Sequence, residues 1–289
     1  MKPPPFEYHD PETTAEAVGL LAEQGDEVKV LAGGQSLVPL LNFRLARPDR
    51  LVDINRIDEL SYIRETSGSL QIGAMTRQST LEVSDLARTH CPLLVDALKW
   101  VGHAQIRNRG TVGGSVAHAD PAAELPLVCS ALDARLRVQS ASGERTVDAA
   151  DFFVTHLTTA IQPDELLTEI EVPKLADRTG TAVVEFARRH GDFALGGAAV
   201  ALTLDASGKT SDVRIALLSA APTPIRATDA EQAISGNVVD EELAREAQAL
   251  TEAAISPTGD IHGGAEYRRG LIGAMVRRAV LEANERAAA

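Results

Sequence analysis

The sequence predicts an α+β chain: two small units in which strands and helices alternate, then a three-stranded sheet covered by helices. Three observations carry this. Short strand-like runs and apolar helical runs alternate as far as Pro173. The texture changes at residues 174–177, after which three strand patterns are followed by helical patterns alone. Two double-glycine loops, Gly33-Gly34 and Gly113-Gly114, each lead into an apolar run, one in each of the first two units. The expected units are residues 1–56, 57–176 and 177–289.

Asp10-Pro11-Glu12 reads as a helix start, with Asp as N-cap, Pro at the first helical position and Glu in the first turn. Ala17, Leu20, Leu21 and Gln24 carry that helix to a stop at Gly25. Residues 28–31 and 51–54 are strands, and the first unit closes near Asn55. The second opens with Leu70-Gln71-Ile72-Gly73-Ala74-Met75, whose alternation fits a strand. Helical patterns follow over residues 77–86 and 93–101, then the second glycine loop and a helix over 125–132. Residues 134–139 and 146–147 flank Ala141-Ser142-Gly143-Glu144, a hairpin turn. In the third unit, residues 181–188, 197–204 and 213–219 are strands, with a turn at 205–209. Helices follow over 229–234, 241–254 and 265–287. In the last, Tyr267, Leu271, Met275, Ile272, Val276 and Val280 form one apolar stripe.

Composition narrows the function. With 289 residues the chain can bury more than one core. Aromatic residues make up 3% and the net charge is −13, which disfavours a nucleic-acid partner. Cys91 and Cys129 read as buried apolar residues and cannot hold an iron–sulfur cluster by themselves. His103, His118 and Asp120 fit no zinc spacing. Met1-Lys2-Pro3-Pro4-Pro5 lacks the apolar core of a signal peptide, and no run approaches a membrane span, so a cytoplasmic protein is expected.

The glycine loops carry the chemistry. A Gly-Gly pair is first of all a turn. Two such turns, Ala32-Gly33-Gly34-Gln35-Ser36 and Thr111-Val112-Gly113-Gly114-Ser115, can also hold one long anionic ligand between them. Their backbone N–H groups approach an anion closely, and the hydroxyls of Ser36, Thr111 and Ser115 can add donors. Neither loop has the Gly-x-Gly-x-x-Gly of a dinucleotide fold, and no Gly-Lys-Ser/Thr tripeptide exists for a P-loop. Arg107 and Arg109 are charge partners for a pyrophosphate, solvated loop residues or contacts to a partner subunit. No nucleophile–base–acid set is present, and Gly33-Gly34-Gln35-Ser36 lacks the nucleophile-elbow spacing.

Here a family resemblance becomes specific. Ala32-Gly33-Gly34-Gln35-Ser36-Leu37 resembles the first flavin loop of the molybdenum hydroxylase flavoproteins. Gln105-Ile106-Arg107-Asn108, Gly110-Thr111-Val112-Gly113-Gly114-Ser115, Asp120-Pro121 and Glu124-Leu125-Pro126 resemble the second. The resemblance of the Ile106-Arg107-Asn108 segment favours Arg107 over Arg109 as the charge partner. The likeness extends through Leu166-Leu167-Thr168-Glu169-Ile170-Glu171-Val172-Pro173, Arg188-Arg189-His190-Gly191-Asp192-Phe193-Ala194 and Ala265-Glu266-Tyr267-Arg268. It is to the FAD-carrying medium subunit of the carbon monoxide dehydrogenase and xanthine dehydrogenase family.

The resemblance implies a two-subdomain FAD-binding unit of the vanillyl-alcohol-oxidase-like (PCMH) fold, plus a C-terminal flavoprotein domain. It implies noncovalent FAD touched by Ala32, Gly33, Gly34, Gln35, Ser36, Leu37, Ile106, Thr111, Val112, Gly113, Gly114, Ser115, Ala117 and Leu167. Asp120 and Glu124 would reach polyol or ribose hydroxyls. Phe193 would shield the isoalloxazine ring where relatives often carry Tyr, keeping the stacking and losing the hydroxyl. The first loop has no His or Cys for a covalent link. The implied role is electron transfer, from [2Fe–2S] clusters of a small subunit through FAD to an external acceptor. A large molybdopterin subunit performs the hydroxylation, in a dimer of heterotrimers most like carbon monoxide dehydrogenase. Carbon monoxide, a purine, an N-heterocycle or an aldehyde all remain open as substrate. The competing readings are a stand-alone FAD oxidoreductase, for which residues 177–289 make a short cap without an obvious base, and a non-enzymatic FAD-binding assembly module.

Overall fold

The computed structural model describes residues 2–24 and 27–289; the expected stop at Gly25 lies outside them. The first sheet is parallel. It uses β1 (Glu7–His9), β2 (Val28–Leu31) and β3 (Arg50–Asp53) in the order β1-β3-β2. Helices α1 (Thr14–Gln24) and α2 (Leu37–Asn42) connect these strands. Helix α1 starts at Thr14, three residues later than the Asp10 cap predicts. Thr13 Oγ1 accepts the Glu16 N–H at 3.2 Å, while the Asp10 carboxylate is taken by Arg56 at 3.0 Å. A distant ion pair has removed the local cap.

The second sheet is built from β4 (Ile63–Glu65), β5 (Ser69–Gly73), β6 (Arg135–Ser140), β7 (Gly143–Asp148) and β10 (Leu166–Pro173). Its order is β4-β5-β10-β6-β7, antiparallel throughout. A small hairpin of β8 (Phe153–Thr155) and β9 (Thr158–Thr159) lies outside it. The helical pattern over 77–86 is two helices, α3 (Gln78–Glu82) and α4 (Asp85–His90), because Ser84 caps the second by accepting the Ala87 N–H. Next come α5 (Pro92–Leu98), α6 (Ala104–Arg109), α7 (Val112–His118), α8 (Glu124–Ala131) and the short α9 (Ala149–Phe152).

The third sheet has four strands where three were expected: β11 (Thr179–Phe186), β12 (Gly196–Leu204), β13 (Thr210–Leu218) and β14 (Ile225–Arg226). The added strand is two residues long and pairs only with β13, too short for an alternation signal. Both faces of this sheet are buried. Val183, Ala199, Ala201, Ala216 and Leu218 join one core with Leu94, Leu98 and Leu125 of α5 and α8. Ala182, Ala198, Val200, Ile215 and Leu217 face the other way, onto Ile272, Val276, Ala279 and Val280 of the long helix α12 (Ala265–Ala288). Helices α10 (Thr228–Ile234) and α11 (Glu241–Ala254) complete that layer. Tyr267 is half exposed, so the buried stripe of α12 begins only at Leu271 and Ile272. The start of α12 is fixed instead by buried Arg268, which donates to the Leu195 carbonyl at 2.8 Å and pairs with Asp260 at 2.7 Å. That pairing, with the N–H groups of His262 and Gly263, holds the Asp260 carboxyl down at about 2. Among the described residues no helix is long and apolar enough to cross a membrane.

Candidate cofactor site

The first glycine loop leaves the carboxyl end of β2, beside Asp53 at the carboxyl end of β3 and Asn55 just beyond it. This is where parallel strands place ligands. Gly34 has φ = +73°, a left-handed conformation that favours glycine. Among the described residues, no backbone N–H from Gly33 to Leu37 donates to another protein group. The first residues of this run border a cleft of about 360 Å³, whose lining includes Ala32, Gly33, Gly34, Gln35, Asn55 and Arg109.

The second loop behaves differently. The N–H of Val112 donates to Thr76, that of Gly113 to Ala74, that of Gly114 to Thr111 Oγ1 and that of Ser115 to the Thr111 carbonyl. Four of its five backbone donors, those of residues 112–115, are therefore already used, against the expectation that both loops offer N–H groups. What this loop supplies is closeness. A Cβ on Gly33 would stand 2.5 Å from the Arg109 carbonyl oxygen, and one on Gly114 would stand 3.4 Å from Ala32 Cβ. The two loops come into close approach beside the cleft.

Residues the sequence reading passed over hold this junction. Asn55 Nδ2 donates to the Ala32 carbonyl at 2.7 Å and Arg77 donates to Asn55 Oδ1 at 2.7 Å. Position at the end of a parallel strand was the available signal for Asn55; Arg77 carried none. Arg107 turns away. It is largely buried in an ion pair with Glu82 at 2.8 Å and donates to the Val101 carbonyl, so Arg109 is the arginine at the cleft. The sequence preference between the two is reversed, because Glu82 on α3 lies 25 residues from Arg107 in the chain.

The remaining candidates scatter by role. Ser36 and Ser115 make no side-chain hydrogen bond among the described residues, and Ala117 is exposed. Leu37 opens α2, and half-buried Ile106 packs on Gly102. Thr111, Val112 and Gly113 are buried; Leu167 is in the core of the second sheet and presents no exposed side chain to a ligand. Asp120 Oδ1 accepts the Ala122 N–H at 2.9 Å. Phe193 is 73% exposed, in the segment whose His190 lies stacked between Trp100 and His103. Among the described residues no cluster of His, Cys, Asp or Glu could hold a metal.

Glu124, at the start of α8, was foreseen; its neighbour Glu185 on β11 was not. Glu185 is 7% exposed and its Oε2 has no hydrogen-bond partner. Burial pushes its carboxyl up to about 7. Burial, then the charges of Glu185 and Asp120, raise Glu124 to about 8. A carboxyl raised in the folded state favours folding when protonated, and that advantage is lost as pH climbs from the unfolded value near 4.5 through about 7. The Glu185→Gln apo-chain is therefore expected to match the wild type within about 1 kcal/mol at pH 5 and exceed it by roughly 1–3 kcal/mol at pH 9. Urea denaturation at the two pH values checks this; equal differences at both would refute it.

These features fit a dinucleotide: free N–H groups and Arg109 suit a pyrophosphate, and unpartnered carboxyls suit hydroxyl or N–H donors. Residues 4–175 match the family profile described as FAD binding domain in molybdopterin dehydrogenase. The chain belongs to this family. Residues 181–283 of the flavoprotein match the CO dehydrogenase flavoprotein C-terminal domain. Over 288 residues, 99% of the chain, it is 46% identical to subunit alpha of the 6-hydroxypseudooxynicotine dehydrogenase complex of Paenarthrobacter nicotinovorans, covering 97% of that subunit. Its structure is similar to carbon monoxide dehydrogenase of Hydrogenophaga pseudoflava, with a TM-score of 0.96, 41% identity and 99% of each chain covered. It also resembles quinoline 2-oxidoreductase of Pseudomonas putida 86, at a TM-score of 0.95, 37% identity and 99% of each chain. The flavoprotein is thus an FAD subunit of the molybdenum-hydroxylase type, as the sequence motifs imply.

Proposed function

We propose that this chain is the cytoplasmic, FAD-carrying relay of a molybdenum hydroxylase, taking electrons from a partner's [2Fe–2S] clusters and delivering them to an external acceptor. A large molybdopterin subunit and a small cluster subunit complete it, as a dimer of heterotrimers. The observation that carries this reading is the run of unpaired N–H groups from Gly33 to Leu37, whose first residues line a cleft together with Arg109, within the segment that matches the FAD-binding family. When bound, the flavin supplies chemistry in one-electron and two-electron steps. The chain's own residues bind and orient it. Residues 33–37 and Arg109 hold the pyrophosphate, Gly33 and Gly114 let the loops close on it, and Asp120 and Glu124 take its hydroxyls. Phe193 covers the ring. Residues 1–56 and 57–176 form the two walls of the cleft, and 177–289 carries Phe193 and Glu185 to it.

Relatives named for a nicotine derivative, for carbon monoxide and for quinoline match over nearly the whole chain. Substrate choice therefore belongs to the molybdenum subunit. Co-expression with the two partner subunits tests the relay: substrate is expected to bleach the FAD absorbance. A complex in which substrate reduces the clusters and never the flavin would defeat it. The flavin is expected to be noncovalent, so acid precipitation should leave yellow colour in the supernatant and a white pellet. Colour kept in the pellet would mean a covalent link.

A further inference from the structure

We propose that Arg77 is a positioning residue that sets the spacing of the two glycine loops for a bound dinucleotide; this deepens the FAD reading of the cleft and rests on it. Arg77 precedes α3 and is half-buried. Its guanidinium reaches in two directions. One nitrogen donates to Asn55 Oδ1 at 2.7 Å, and the other to the Arg109 carbonyl at 2.5 Å. Asn55 in turn donates to the Ala32 carbonyl at 2.7 Å, where the first loop begins. The Arg109 carbonyl oxygen is the atom that a side chain on Gly33 would strike. A continuous series of hydrogen bonds, Ala32 to Asn55 to Arg77 to Arg109, thus ties one loop to the other at their point of closest approach. The backbone of Arg77 also bridges to Thr111, the cap of α7.

The charges point the same way. The Arg77 guanidinium is partly desolvated and sits close enough to that of Arg109 to lose proton affinity, with Asp53 the acidic group acting against this. Two neighbouring cations repel, and a dianionic pyrophosphate between the loops removes that repulsion. Only arginine suits the position, because its planar fork serves two fixed acceptors at once where lysine offers a single point of charge.

The test measures FAD affinity of the full chain by flavin fluorescence quenching, for the wild type, Arg77→Met, Arg77→Lys, Asn55→Ala and the Arg77→Met/Asn55→Ala double variant. Arg77→Met and Asn55→Ala each break the same tie, so each is expected to weaken FAD binding about tenfold, in line with the loss of one charge-assisted hydrogen bond. The double variant should be no weaker than about tenfold, because coupled residues are not additive. Arg77→Lys should fall with the Met variant, and the apo-chain should keep its thermal midpoint. Arg77→Met at wild-type affinity, single losses that multiply to about 100-fold, or full rescue by lysine would each overturn the proposal, the last by reducing Arg77 to a charge. If Arg77→Met does not fold, Arg77→Lys and Asn55→Ala carry the comparison. A wild-type chain that takes up no FAD would overturn the reading of the cleft, and this proposal with it.

Discussion

The Gly114→Leu chain is expected to purify folded and colourless, with FAD affinity lowered at least about 100-fold, equivalent to about 3 kcal/mol. A Cβ at this position would stand 2.6 Å from Thr111 Oγ1 and 3.4 Å from Ala32 Cβ. The side chain would therefore occupy the space between the two loops, with its branched end in the cleft. The clash also presses on the Thr111 cap, which accepts the Gly114 N–H at 3.1 Å. The only contact shorter than 3.0 Å is the Thr111 hydroxyl, and no apolar core side chain has to move, so folding should survive. Phe193→Leu is the control. That ring is 73% exposed, and a contact with a flavin there would contribute on the order of 1 kcal/mol, against the many contacts of a dinucleotide tail. This variant should stay yellow. The ratio of flavin to protein absorbance after gel filtration reads both, and stoichiometric FAD in Gly114→Leu would remove the second loop from the site.

A larger loss of stability is expected from Gly180→Val. Gly180 lies in β11 where α12 crosses it, and a Cβ there would overlap the Ala283 carbonyl and the Ala287 amide. Both obstacles are helix backbone, so no side-chain rotation relieves them. The last turns of α12 would have to leave the sheet and uncover Ala182, Ala283 and their neighbours. Such overpacking is expected to cost at least about 3 kcal/mol and lower the thermal midpoint by about 10 °C. Gly19→Ala in α1 is the contrasting change. Nothing lies within 4 Å of a Cβ there, and it should be neutral or stabilising by up to about 1 kcal/mol. Differential scanning fluorimetry separates them, and an unchanged midpoint for Gly180→Val would show that the helix can shift freely.

Much of this architecture was legible in the sequence because the signals are local. Period-two alternation marked β5, strand-like runs marked β11, β12 and β13, and helical patterns marked α11 and α12 almost to their ends. The double glycines at 33–34 and 113–114 announced two loops with no room for side chains, and the surrounding motifs were enough to point to the family. Boundaries failed where a distant group intervened, as when Arg56 took the Asp10 carboxylate and moved the start of α1.

The working parts of the site were decided by the tertiary structure. Sequence makes the two glycine loops look equivalent. Folding satisfies the N–H groups of residues 112–115 with Thr76, Ala74 and Thr111 and leaves those of residues 33–37 open, so the two loops differ in the donors they offer. Arg107 and Arg109 are two residues apart, yet Glu82 draws one inward and leaves the other at the cleft. Arg77 finds its partners 22 and 32 residues away, and Glu185 is buried only because β11 packs against the second unit. Whether a polar group is free, paired or desolvated depends on which atoms surround it in three dimensions, and local periodicity contains no record of those neighbours.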